Sequence, residues 1–214
     1  MSTQRIPGGL LLVLEGIDGA GKSTQIRRLQ LLCEALGLEA VCSREPTYGP
    51  YGRQLRESAA QARLAPEEEH RLLLLDRADH VQNLIRPALQ RGAVVILDRY
   101  YYSSIAYQGA AGLDPAQIQR DNEAIAPPAD LLLILDLDPA LGIARINARG
   151  DRPNAFEASA TLLHCRQTYL GFAALPYARL IDANADADQV TAQASAHLLR
   201  ALHRRLPGML GDKA

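Results

Sequence analysis

Short apolar runs alternate along the chain with longer stretches patterned for helix. Leu10–Leu14, Ala40–Cys42, Ala93–Leu97, Leu131–Leu135 and Arg179–Ile181 are strand-like, and each is followed by Gly, Asp or Arg punctuation. Helix signals fill the spaces between them: Lys22–Leu36 stops at Gly37, and Pro66–Gln90 opens with Glu67, Glu68 and Glu69 and closes at Gly92. Shorter helical pieces lie around Pro115–Ala126 and Pro139–Arg149, and Ala160–Ala174 and Asp188–Arg204 follow. Strands that alternate with helices predict an α/β fold, a parallel sheet covered by helices on both faces. Neither an internal repeat nor a low-complexity linker interrupts the pattern, so residues 1–214 read as one domain with a tail from about 206 to 214. The polar segment Gly150–Glu157, with its Pro and Gly between two helical patterns, reads as a mobile lid of that domain.

Composition narrows this picture. The chain has 214 residues, 48% hydrophobic and 22% charged, long enough for a substantial core and close to the average for soluble globular proteins. A net charge of −1 argues against a broad nucleic-acid surface, which needs clustered basic charge, so any anionic ligand must be met locally. Arg200–Arg205 reads as a solvated helix face. No run approaches the roughly 18 apolar residues of a membrane span, and the N-terminal run Leu10–Leu14 lacks the form of a signal peptide. Cys33, Cys42 and Cys165 have no metal-ligand spacing and read as reduced thiols of a cytoplasmic protein, with Cys33 and Cys42 buried. The five His residues show no ligand spacing either and read as surface or helix residues. Among the 23 basic residues 21 are Arg; the two Lys are Lys22 and Lys213, so one lysine is kept inside the domain.

That lysine stands in Gly16-Ile17-Asp18-Gly19-Ala20-Gly21-Lys22-Ser23, between the first strand and the first helix. The pattern is G-x-x-x-x-G-K-[ST] in the context that gives it meaning, and from this chain's residue frequencies a chance match is roughly one in a thousand. Glycines let backbone N–H groups converge on phosphate oxygens, the helix N-terminus adds its dipole, Lys22 bridges the terminal phosphates and Ser23 ligates Mg²⁺. The loop therefore predicts binding of a nucleoside triphosphate. A guanine-reading N-K-x-D tetrapeptide is absent, which argues against a small GTPase.

Arginines mark where a second anion would bind. In open parallel sheets ligands sit beyond the carboxyl ends of the strands. Arg44 follows the second strand in Arg44-Glu45-Pro46 and Arg99 the third in Asp98-Arg99-Tyr100. Steps of three and four along the long helix put Leu73, Arg77, Val81, Leu84 and Ala88 on one inward stripe, where an arginine needs an anion or acceptors. Together these three guanidiniums suit a phosphate monoester.

With these residues in view the chain resembles the thymidylate kinase family of P-loop nucleoside monophosphate kinases. The matching segments are Glu15 to Thr24, Arg44-Glu45-Pro46, Asp76-Arg77-Ala78, Asp98-Arg99-Tyr100, Ala106-Tyr107-Gln108-Gly109, and Leu135-Asp136 with Pro139 and Arg145, in the family's order over about residues 10 to 185. The resemblance implies a five-stranded parallel sheet, ATP and Mg²⁺ as the donor system, dTMP as acceptor, and a homodimer. It also implies that Gly16, Ile17, Asp18, Gly19, Ala20, Gly21, Lys22, Ser23 and Thr24 hold ATP, with Arg145 facing the adenine. Asp18 would contact the acceptor 3′-hydroxyl, Arg44, Arg77 and Arg99 its 5′-phosphate, Tyr107 the sugar carbon, and Ser104 and Gln108 the base. Asp98 ends its strand as a Mg²⁺-side acid does; Asp136 is the competing candidate, ranked lower because no Arg of the acceptor set follows it. Because Gly19 stands where some members place an Arg, the catalytic Arg would come from the lid, Arg149 first and Arg152 second.

Three departures from the family pattern stand out, two of them at the base site. Leu73 stands where the family usually has a Phe that stacks on thymine, which leaves open another deoxynucleoside monophosphate or a relaxed base preference. The loop after Arg44-Glu45-Pro46 reads Thr47-Tyr48-Gly49-Pro50-Tyr51, so Tyr48 or Tyr51 is a candidate for the missing aromatic face, against ordinary packing. The lid reads Asn154-Ala155-Phe156-Glu157, so Arg149 and Arg152 both remain open. A noncatalytic nucleotide-binding module is the remaining alternative, and intact Lys22, Asp98 and lid arginines argue against it.

Overall fold

The computed structural model describes residues 4–61, 64–148 and 159–206; Arg149, Arg152, the 150–157 lid and the tail from 207 lie outside them. Five strands, β1 (Leu10–Glu15), β2 (Ala40–Arg44), β3 (Val94–Asp98), β4 (Leu131–Asp136) and β5 (Ala178–Asp182), form one parallel sheet in the order β2-β3-β1-β4-β5. Every residue of β1 and β3 is buried, and removing each Leu, Ile or Val side chain from water contributes about 1.5–3 kcal/mol. The two edge strands are only partly buried. Register matters for function: Leu14 of β1 and Arg44 of β2 both pair with Asp98 of β3, so three strands end side by side.

Helices cover the sheet. They are α1 (Lys22–Ala35), α2 (Pro50–Gln61), α3 (Pro66–His80), α4 (Arg86–Gln90), α5 (Tyr101–Ala110), α6 (Pro115–Glu123), α7 (Pro139–Ala148), α8 (Ser159–Gly171) and α9 (Ala187–Arg205). Two expectations change. The long helix over 66–90 is α3 and α4 joined by a π-helical stretch, Val81–Ile85. Its wider turn lets buried residues recur every fourth position as Arg77, Val81 and Ile85, so Ile85 takes the inward place expected of Leu84, which is half-buried. Neither α2 nor α5 was among the helices expected from the sequence; with α3 they wall the second cavity described below.

Helix α5 has no side-chain cap of its own. Glu15, fully buried at the end of β1, supplies it from 85 residues away: its carboxylate accepts from the Tyr100 N–H at 2.8 Å, the Ser103 N–H at 3.1 Å and the Ser103 hydroxyl at 2.7 Å. Burial pushes this carboxyl above its ordinary range, and Arg99 with the three donors opposes that push. Cys33 and Cys165 are buried as free thiols; Cys42, on the edge strand β2, is only half-buried, contrary to expectation.

Candidate functional site

The loop between β1 and α1 lines a polar cavity at the carboxyl ends of the strands, together with Arg44, Asp98 and Arg99. Gly21 takes a left-handed φ of 89° at the start of α1, which frees the first helical N–H groups to face the cavity. Gly19, at φ 85°, lies against Gly142 of α7: a Cβ at Gly19 would stand 2.6 Å from the Gly142 carbonyl oxygen, and one at Gly142 2.8 Å from that of Asp18. Two glycines thus let the loop touch α7, whose Arg145 donates to the Ala183 carbonyl at 3.0 Å and the Gly19 carbonyl at 3.4 Å.

Lys22 is buried and donates to the carbonyls of Gly16 at 2.9 Å and Ile17 at 3.1 Å, with Asp18 4.0 Å away. Burial lowers its pKa, helped by Arg99 and opposed by Asp18, Asp98 and Glu15. The Ser23 hydroxyl donates to Asp98 at 3.0 Å. That oxygen pair, in the lining of the polar cavity, fits the hard donor set of Mg²⁺, which takes one or two protein ligands and completes its shell with phosphate oxygens and water. Asp136 is engaged elsewhere: Arg166 grips it with two bonds, at 2.6 and 3.0 Å.

Asp18 and Arg99 line this cavity and also a second, more apolar one. They pair at 2.7 Å. Arg99 adopts a left-handed φ of 70°, unusual for a non-glycine residue, and is held by Ser103 at 3.0 Å, the Tyr169 hydroxyl at 3.2 Å and the Tyr107 hydroxyl at 3.4 Å. The second cavity is also lined by Tyr107, Ser104, Gln108, Tyr100 and Arg77, with Leu55, Leu73 and Pro46 among its apolar wall.

The three arginines expected at the acceptor phosphate are spread over the two cavities: Arg44 lines the polar one, Arg99 lines both, and Arg77 lines the second, fully buried, with Nε 2.7 Å from Glu45, Nη1 on Asn122 and Nη2 3.2 Å from Ser104. Periodicity told that the side chain points inward; only the tertiary contacts tell which groups it meets there. Tyr48 and Tyr51 do not line the second cavity. Tyr48 is 66% exposed and stacks beneath Arg56, while Arg44 donates to its hydroxyl at 3.3 Å. Among the described residues, the aromatic ring in the second cavity besides Tyr107 is Tyr100.

Arg56, Glu45 and Glu69 line the second cavity and were not singled out in the sequence. Arg56 is fixed by the carbonyls of Pro46, at 3.0 Å, and Thr47. Its signal was there, since Pro50 can open a helix at its first position and bring Leu55 and Arg56 one turn and a half later. The loop between is anchored by Asp76, which accepts from the Thr47 N–H at 2.7 Å and hydroxyl at 2.6 Å.

A phosphate-binding loop whose cavity shares the walls Asp18 and Arg99 with a second, partly apolar cavity defines a P-loop phosphotransferase of the nucleoside monophosphate kinase type. The model of the thymidylate kinase family matches residues 14–194. The chain is 53% identical over 208 residues to the thymidylate kinase of Xanthomonas euvesicatoria pv. vesicatoria (strain 85-10), covering 97% of this chain and 91% of that one. It is 51% identical over 211 residues to the thymidylate kinase of Xylella fastidiosa (strain M12), covering 99% and 96%. The chain belongs to the thymidylate kinase family.

Proposed function

We propose that the protein transfers the γ-phosphoryl group of ATP to the 5′-phosphate of dTMP, giving ADP and dTDP. The observation that carries this reading is the pair of adjoining cavities: one is polar and built on the phosphate-binding loop, the other is lined by Ser104, Gln108 and Arg77, and Asp18 and Arg99 are walls of both.

In this reading the loop amides and Lys22 hold the donor phosphates, and Lys22 exchanges the carbonyls of Gly16 and Ile17 for phosphate oxygens, which restores a full complement of anionic neighbours to a buried ammonium. Ser23 and Asp98 hold Mg²⁺, which when bound neutralises charge on the donor phosphates. Arg145, beside Gly19 and the end of β5, faces the adenine. Arg44 and Arg99 hold the acceptor phosphate, and Asp18 accepts from the sugar 3′-hydroxyl. Tyr107 lies against the sugar, and Ser104, Gln108 and Arg77 meet the base above Leu73. An acceptor phosphate has its second pKa near 6, so its attacking oxygen is already ionised and no general base is required. That oxygen bonds to the γ-phosphorus while the bond to the ADP oxygen breaks. The protein contributes alignment and charge stabilisation, with Arg149 or Arg152 of the lid as the arginine over the transferring group.

The three free thiols fit a cytoplasmic setting, and the family resemblance implies a homodimer. The aliphatic Leu73 on the wall of the second cavity favours a second reading, a kinase with relaxed base preference. ADP release measured in a coupled assay with ATP against dTMP, dUMP, dCMP, dGMP and dAMP separates the readings. The expected result is fastest turnover with dTMP. Another nucleotide turning over fastest replaces the acceptor assignment, and ADP release without acceptor dependence sinks the kinase reading.

A further inference from the structure

Behind the second cavity runs a buried chain of polar groups that the transfer reaction itself does not use. Arg77 is 1% exposed, and Glu45 and His80 are each 4% exposed. One carboxylate oxygen of Glu45 takes both Nε and Nη2 of Arg77 at 2.7 Å. The other oxygen is 2.9 Å from Nδ1 of His80, and the far nitrogen of that ring, Nε2, is 2.8 Å from the Ser43 hydroxyl. On its other side Arg77 reaches Asn122, whose amide nitrogen is tied in turn to the Ile118 carbonyl at 2.7 Å.

A carboxylate can only accept, so Nδ1 of His80 carries the proton in the bond to Glu45. That bond divides the carboxylate: one oxygen is held by α3's last residue and the other by Arg77. Without it, Glu45 is free to turn and to take the guanidinium with both oxygens, the preferred geometry of an arginine and a carboxylate. Arg77 would then be drawn toward Glu45 and away from Ser104 and the cavity. As held, the guanidinium keeps one of its five N–H groups without an acceptor among the described residues. Ser43 directly precedes Arg44 on β2, so the same ring also ties α3 to the strand that carries an arginine of the phosphate cavity.

We propose that His80 is a positioning residue for acceptor recognition: by holding Glu45 through Nδ1 it fixes the guanidinium of Arg77 toward the base. This rests on the reading of Arg77 as a base-facing group.

His80→Ala would open a buried cavity and report on folding as much as on function, so the test uses a matched pair of polar variants in the full chain. The amide nitrogen of His80→Asn lies where Nδ1 lies and can still donate to Glu45. That of His80→Gln extends to the place of Nε2, serving Ser43 and leaving Glu45 bare. KM for dTMP and for ATP, together with kcat, are measured for both, for Arg77→Gln and for the Arg77→Gln/His80→Gln double variant. The expected result is that His80→Asn stays within about threefold of the parent, while His80→Gln raises KM for dTMP about tenfold, the size expected for a lost hydrogen bond to a charged group. Neither changes KM for ATP or kcat by more than about twofold, and the double variant binds dTMP no worse than Arg77→Gln alone. Equal damage from Asn and Gln, an unchanged dTMP KM in His80→Gln, or multiplied effects in the double variant would each overturn the proposal while leaving Arg77 in place. An unchanged dTMP KM in Arg77→Gln overturns the base-site reading, and the role of His80 with it.

Discussion

Lys22 shows how much of a site can rest on one side chain. It is the domain's interior lysine, it is buried, and burial followed by repulsion from Arg99 lowers its pKa. Such a group gains little for the empty fold and much for a bound polyphosphate, so Lys22→Met should lower kcat by a factor of about 100 or more without loss of thermal stability. Steady-state turnover and a melting curve on the same preparation check this; turnover near that of the parent would remove Lys22 from the reaction. Leu73 is the complementary case, a residue whose change should improve the site. An aromatic ring at that wall adds about 0.5–1.5 kcal/mol of stacking, so Leu73→Phe should lower KM for dTMP by a factor of about two to ten. An unchanged or raised KM would mean that the base does not lie against this wall.

At the scale of elements, the contact between the phosphate-binding loop and α7 depends on the absence of two side chains. Gly142→Ala would place a methyl 2.8 Å from the Asp18 carbonyl, backbone against backbone, where no side chain can give way. The expected cost is about 1–3 kcal/mol of stability, with a raised KM for ATP because the loop or α7 must shift. Thermal melting and ATP titration together test it, and an unaffected melting temperature would show that the helix moves freely. The same scale explains which elements could be read in advance. The helix α1, with Gly21 before it and Gly37 after it, carries its own punctuation. The helix α5 does not: Tyr100, Tyr101 and Tyr102 suit a strand as well as a helix, and the capping acceptor is Glu15 at the end of another strand. A cap that arrives through tertiary structure leaves no local trace.

For the whole molecule, burial of weak acids sets the response to alkali. Cys33 and Cys165 are pushed up to about 12 and Cys42 to about 11 by burial, and burial likewise raises Tyr107 and Tyr169. A group whose pKa is higher in the folded than in the unfolded chain adds stability that is full below the unfolded value and is lost as pH rises toward the folded one. The melting temperature should therefore hold near neutrality and fall as pH climbs from about 9, the ordinary thiol value, toward 11. Thiol-reactive dye should label the native protein far more slowly than the denatured chain at pH 8. A melting temperature that stays level through pH 10, or native labelling at the denatured rate, would contradict this. The last helix is tied to distant parts of the chain: Arg205 is bound to Asp130 and to the Gly9 carbonyl at 3.2 Å, so that part of the basic run of α9 is structural and not merely solvated.

The sequence by itself determined the alternation of strands and helices, the phosphate-binding loop with Lys22 and Ser23, and the presence of Arg44 and Arg99 just past strand ends. Each of these is a local property, set by periodicity, by glycine at fixed spacing, or by adjacency to a strand. The register of the sheet, which brings Asp98 beside both Leu14 and Arg44, was decided only by tertiary structure. So was the place of Arg77, which shares an inward stripe by periodicity but is held by Glu45, Asn122 and Ser104 in the wall of the second cavity. Its partners come from three other parts of the chain, 27 to 45 residues away. A buried charge goes where its hydrogen bonds are satisfied, and that choice is made by the packed molecule rather than by the segment that carries it.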